Sequence, residues 1–156
     1  MPMIPLVKMV CTFLSDFVED NKFEVFIVSD DSVILSNEKC FLWIRRSWGD
    51  ATFSIVEMPI NIQSNLYYNI TGNLLRRGGN ISFNKEKKFP DERDYNTYYY
   101  IMLASKLLTQ VGQDILDGNN EWKIGEGSYL LREQEINRIT NAFAAGAVSC
   151  RDVARI

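Results

Sequence analysis

The chain has 156 residues, 46 % of them apolar and 24 % charged, with a formal net charge of −3 and a pI near 5.0. These values fit one folded domain with its own core and argue against a surface wholly given to nucleic acid. No histidine occurs, which excludes Ser-His-Asp and Cys-His catalysis, HExxH sites and most catalytic zinc sites.

Leu6, Met9, Val10, Phe13, Leu14 and Phe17 recur at helical spacing, with polar residues on the opposite face, and predict an amphipathic helix ending near EDNK. The stretch KFEVFIVSDD predicts a strand, DDS a turn, and VILS a further short strand. CFLWIRRSWGDATFSIVEMP is the clearest hairpin, with β-branched and aromatic residues in both arms and a turn at WGD where Gly49 can take positive φ. Phe41, Trp43 and Arg45 share one face of its first arm; Leu42, Ile44 and Arg46 share the other. Pro59 is expected to end the second arm.

INIQSNLYYNITGNLLRRGGN reads as a helix with Ser64 as N-cap and a stripe of Leu66, Tyr67, Ile70 and Leu74, stopped by Gly78 and Gly79. Residues 79–94 read as a polar loop, with a short strand expected at Ile81–Phe83. The stretch DYNTYYYIMLASKLLTQVGQDILDG predicts the longest helix, with Gly118 as its left-handed C-terminal residue. A last helix follows in SYLLREQEINRITNAF, capped by Ser128 or starting near Arg132, and the tail 144–156 is expected either to fray or to dock elsewhere. The order gives a single α+β domain over 1–156: an N-terminal helix, a three- to four-stranded antiparallel sheet, and two to three C-terminal helices.

GxSxG, GxGxxG and P-loop patterns are missing, and GEGS at 125–128 reads as a loop. Cys11, Cys40 and Cys150 form no CxxC pair and read as buried or incidental thiols of a reducing cytoplasm. The opening MPMIPLVKMVCTFLSDF lacks a basic n-region and is interrupted by Lys8 and Asp16, so no signal peptide is expected. No apolar run reaches the roughly 18 residues of a membrane span. No metal or cofactor is expected.

Carboxylates are the remaining acid–base candidates: Asp114 and Asp117 near a helix end, and Asp91, Glu92 and Asp94 before a helix start, where negative charge suits the helix dipole. Arg76, Arg77, Lys85, Lys87 and Lys88, with tyrosines on either side, form the one pattern that single-stranded nucleic acid could use, but no RNP-like or helix-turn-helix motif accompanies them. Tyr98, Tyr99 and Tyr100 are consecutive, so one helix face cannot bury all three. A surplus of aromatic surface is therefore expected, of the kind enriched at protein interfaces.

LLTQVGQDILDGNNEW resembles a pattern in small bacterial immunity-type proteins of polymorphic toxin systems, in which a helix ends in Ile/Leu-Leu-x-Gly-Asp followed by an aromatic. Ile115, Leu116, Gly118 and Trp122 match it, and Asn119 stands in place of the acid. CFLWIRRSWGDATFSIVEMP is similar to the hairpin that precedes the C-terminal helices of those proteins. The resemblance covers the middle and later part of the chain. It implies a cytoplasmic protein acting by binding: a non-enzymatic module that sequesters or neutralises a toxin or effector. The expected partner-binding residues are Trp122, Tyr98, Tyr99, Asp114, Asp117 and Glu121, with the acidic residues complementing a basic partner. Alternatives are a dimeric secretion-type chaperone, which leaves a homodimer open, and a histidine-free enzyme using carboxylates.

Overall fold

The computed structural model describes residues 2–58 and 65–156. Pro59 and Ser64, to which the sequence assigns a strand end and a helix cap, lie outside them. The described residues form helix α1 (Leu6–Phe13), helix α2 (Ser15–Asp20), strands β1 (Glu24–Ser29), β2 (Ser32–Ser36), β3 (Phe41–Ser47), β4 (Asp50–Val56) and β5 (Leu66–Asn69), then helices α3 (Thr71–Arg77), α4 (Glu92–Val111) and α5 (Gln113–Leu116), strand β6 (Tyr129–Leu130) and helix α6 (Glu133–Ala145). The class is α+β, as the pattern predicts. The strands make one antiparallel sheet in the order β1-β2-β3-β4-β5-β6.

The sheet is buried on both faces because its central strands alternate two apolar sets. Val33, Leu42, Ile44 and Phe53 pack with α1 and α4 in the larger core, where Leu6, Val10, Ile101 and Leu108 close over them. Ile34, Trp43, Val56 and Tyr67 point the other way and meet Ile139 and Ala142 of α6. Register follows the same logic: Trp43 pairs with Ile34 and with Ser54, and Ile44 with Val33 and with Phe53.

Four expectations give way to packing. The N-terminal helix is kinked, because Leu14 leaves helical geometry at φ −113° between α1 and α2. The helix expected over 60–79 is instead β5 followed by α3: Tyr67 and Tyr68 pair with Val56 and Ile55, and only the TGNLLRR segment is helical. Non-local pairing overrides a local period here. Ile81 and Phe83 form no strand and serve the larger core as side chains. The long helix breaks at Gly112, where an added Cβ would sit 2.9 Å from the Leu108 Cα and 3.0 Å from Leu74 Cδ2. The sheet therefore has six strands among the described residues, two more than the upper expectation, and the additions are its short last members, β5 and β6.

The cap of α6 and the path of the tail are also defined. Arg132, not Ser128, is the N-cap of α6, and Glu135 turns back to accept the Arg132 N–H at 3.0 Å. This half of a capping box satisfies the N–H at the helix start. The tail docks: Val148 bridges to Val25, and Cys150 forms a disulfide with Cys11, so these two are not the incidental thiols the sequence suggests. Cys40 is free and buried.

The β3–β4 turn fixes α4 on the sheet. Trp48 (φ 54°) and Gly49 (φ 94°) both take positive φ, the turn geometry that matches strand twist. The Thr97 hydroxyl of α4 donates to the Gly49 carbonyl at 2.8 Å, and Asp94 accepts the Ile4 N–H at 3.0 Å. A Cβ at residue 49 would lie 2.5 Å from the Arg93 carbonyl oxygen. Gly49→Ala should therefore lower stability by more than about 1 kcal/mol, read as a drop in thermal or urea midpoint; an unchanged midpoint would show that α4 can withdraw from the turn without cost.

Candidate functional site

The candidate site is the segment 112–132, which carries the chain from the end of α4 around the β5–β6 end of the sheet to α6. Each turn in it has a physical cause. After the Gly112 break, α5 buries Ile115 and Leu116. Gly118 follows at φ 81°, and an added Cβ there would stand 2.5 Å from the Lys39 carbonyl oxygen. The helix end is thus wedged against the β2–β3 turn, and only glycine fits both the φ and the space. Asn119 Oδ1 then accepts the Glu121 N–H at 2.7 Å, opening a 3-10 turn over Glu121–Lys123.

Trp122 points inward. It is 8 % exposed and meets Tyr68 edge to face at 5.7 Å. Lys123 closes over the pair, 5.1 Å from the Tyr68 ring, and its ammonium donates to Glu57 at 3.0 Å. Burial and the nearby Glu57 charge both raise the Tyr68 pKa, so its phenol stays neutral. Glu126 accepts hydrogen bonds from Asn73 and Arg76 of α3, which hold its carboxyl below the ordinary range. Leu131 is buried, and its N–H donates to the Asn65 carbonyl at 2.8 Å.

Pinned in this way, the segment turns a different set of side chains outward. Ile124 is 84 % exposed, Leu130 66 % and Tyr129 50 %. Tyr129 and Leu130 form β6, the last strand of the sheet among the described residues, where they pair on one side only, with Tyr67 and Leu66. Tyr129 stacks on Tyr67 at 5.4 Å, which holds its ring against the sheet. Exposed apolar side chains thus gather on and just before a strand that, among the described residues, is paired on one side only, with Tyr129 and Leu130 on its two opposite faces. Trp48, 78 % exposed, stands on the β3–β4 turn at the opposite end of β3 from Lys39 and does not join this group.

The residues expected to bind a partner are not brought together. Trp122 and Tyr98 are buried and are corrected as surface anchors. Tyr98 is 3 % exposed, enclosed by Phe13, Phe83 and Phe89, with its hydroxyl donating to the Asn84 carbonyl at 2.8 Å. Tyr99 is half-buried against Phe83 on α4. Asp114 is clamped by Arg77, whose two terminal nitrogens reach its oxygens at 2.5 and 3.0 Å. Asp117 faces the other way, toward Lys39 at 3.7 Å and the Gln113 amide at 2.9 Å, in an open cleft of about 660 Å³ that Asp114 does not line. Glu121 is exposed. Of the acidic residues before α4, Asp91 caps the helix and Asp94 is buried.

Sequence reasoning missed Ile124, Tyr129 and Leu130. No sequence signal marks Ile124 as outward, and Tyr129 and Leu130 fall in the stretch that the sequence pattern assigns to a helix. Among the described residues no group of acidic or thiol side chains could hold a metal ion, and no helix is long and apolar enough to cross a membrane. The chain matches no family model, no curated protein and no solved structure.

The Arg77 clamp makes a pH prediction. Arg77 lowers the Asp114 pKa, chiefly by hydrogen bonding. A depressed folded pKa contributes stability above the ordinary carboxylate range and loses it as pH falls through the depressed value. Asp114→Asn should therefore be the less stable protein at pH 7, by at most about 1 kcal/mol because the pair is partly exposed. The two proteins should converge as the pH falls through the depressed Asp114 value. Melting curves across that range check this, and a gap that persists in acid would assign the effect to shape instead of charge.

Proposed function

We propose that this chain is a non-enzymatic protein-binding module that sequesters or neutralises a toxin or effector protein in the cytoplasm. The observation that carries the reading is the outward set Ile124, Tyr129 and Leu130 at β6, whose outer edge is unpaired among the described residues. Exposed large apolar side chains at a strand edge suit an interaction surface, because an open edge accepts an extended segment by main-chain hydrogen bonding, with alternate side chains giving specificity. Both features are here held on a segment locked by Gly118, Trp122 and Glu126. That rigidity reduces the entropy lost on binding.

The acidic residues divide by what they already do. Asp114 and Asp117 face internal cations, whereas the exposed Glu121 side chain has no partner among the described residues and is left to meet a basic group on the bound protein. Asp114, held ionised by Arg77, is poorly suited to donate a proton, which favours binding over carboxylate catalysis.

The test compares the chain with its Ile124→Asp/Leu130→Asp variant. Both proteins are used to capture partners from host lysate, and the captured protein is then titrated in purified form. One stoichiometric partner should be retained by the parent chain and bound at least about thirtyfold more weakly by the variant, with the melting temperature unchanged because both side chains are exposed. Expression of that partner alone should arrest growth, and co-expression of the parent chain should restore it. Equal affinity of the parent and variant chains for the captured partner would move the interface away from β6; a partner harmless to growth would remove the toxin reading while leaving the binding reading intact.

A further inference from the structure

The opposite edge of the sheet is handled differently. β1 is the outermost strand there, paired only with β2 on its inner side. The tail leaves α6 at Gly146, where φ is 91°, on the face that α6 covers. It rounds the β1 edge through one bridge, the Val148 N–H donating to the Val25 carbonyl at 2.8 Å. It then reaches α1 on the other face, where Cys150 is disulfide-bonded to Cys11 and the Ile156 N–H donates to the Thr12 hydroxyl at 3.2 Å. One covalent bond thus joins residues 139 apart in sequence and links the two helical layers across the edge strand.

We propose that residues 146–156 are a redox-released guard of the β1 edge, held closed by the Cys11–Cys150 disulfide and opened by a dithiol. The non-covalent hold on the tail is slight. Val148, Cys150 and Val153 are half-buried and every other residue of 146–156 is exposed. Terminal segments with so few anchors fray unless tied down. The rest of the fold does not lean on the tail: β1 keeps its full pairing with β2, and Cys11, fully buried, serves the core as a small apolar side chain whether or not it is bonded. The tail takes up the Val25 carbonyl on this edge, and its release frees that acceptor beside the 39 % exposed Ile27, lengthening an edge open to pairing with another strand.

The chemistry closes without any group from elsewhere in the chain. A thiolate of the dithiol attacks the sulfur of Cys150, the half-buried member of the pair, and Cys11 leaves as a thiol after protonation. The second thiol of the reductant then displaces Cys150 and closes its own disulfide. Two electrons and two protons pass to the protein. Cys40 stays outside the exchange: it is buried, and desolvation together with the Asp117 charge pushes its thiol up to about 12. In the reducing cytoplasm of the proposed function the guard therefore rests open, and oxidising conditions shut it.

The experiment uses the full chain in three forms: oxidised, reduced with dithiothreitol, and Cys150→Ser without reductant. Alkylation after unfolding counts free thiols, and amide hydrogen exchange reads the tail and the core. The oxidised chain should show one free thiol, Cys40, and the reduced chain three. Exchange over 146–156 should rise at least tenfold in both the reduced chain and Cys150→Ser, with β3 and α4 protected as before. Three free thiols in the oxidised chain would overturn the proposal, as would a tail equally protected after reduction. Loss of protection throughout β3 and α4 would also overturn it, because the bond would then be a staple of the whole fold.

Discussion

Everything in this structure depends on a sheet whose central strands have no polar face. Leu42 and Ile44 point one way from β3, Phe41 and Trp43 the other, and both sets are packed under helices. A half-buried sheet could have left one face to water. This one needs two covers, α1 with α4 on the first face and α6 on the second. The chain must therefore pass from one face to the other. It does so at both ends of the sheet, through 112–132 beside β6 and through 146–156 beside β1. The open edges and the crossing segments coincide because the same burial requirement produces both.

The second cover is made differently from the first. The larger core is closed by long apolar side chains from α1 and α4, whereas α6 contributes few: Ile136, Ile139, Ala142 and Phe143. Aromatic and cationic contacts do much of the rest. Phe143 meets Phe26 and Phe41 edge to face, and the Arg45 guanidinium lies 4.1 Å from the Trp43 ring and 4.8 Å from Tyr67. Glu135 caps its own helix through the Arg132 N–H while standing 4.0 Å from Arg45. One carboxylate thus starts α6 and aligns it over the sheet. A cation on an aromatic face gains more when water is kept away, which suits Arg45 to a position an apolar residue could also have filled.

How much of this was legible in the sequence depended on whether a local pattern and a distant partner agreed. The hairpin over 40–58 could be read because its alternation, its β-branched content and the WGD turn all point to one structure. Leu66, Tyr67, Ile70 and Leu74 satisfy a helical period by coincidence, and four residues are too few to show alternation; pairing with Val56 and Ile55 decides. β6 is shorter still. The phase of the tyrosine run on α4 was open for a related reason. The side chains that enclose Tyr98 come partly from 79–90, a lysine-rich stretch whose Phe83 and Phe89 turn inward. The link between Cys11 and Cys150 spans too much chain for any spacing rule to find it.

Trp122 shows why the functional surface was the hardest part to read. A tryptophan just after a helix stop looks like an anchor for a partner, because such residues dominate interface energies. Here it anchors the chain to itself. Its indole fills the space beside Tyr68, Lys123 and Glu57 close over it, and the turn so formed leaves Ile124 with nowhere to pack. The largest aromatic side chain in the segment supplies rigidity, and the smaller neighbours supply the exposed surface. A composition argument ranks residues by what they could contribute to binding. It cannot rank them by which way they face, because that is set by Gly118 meeting the carbonyl of Lys39, far back along the chain. The glycine that ends the helix is thus also the residue that decides which side chains the segment presents.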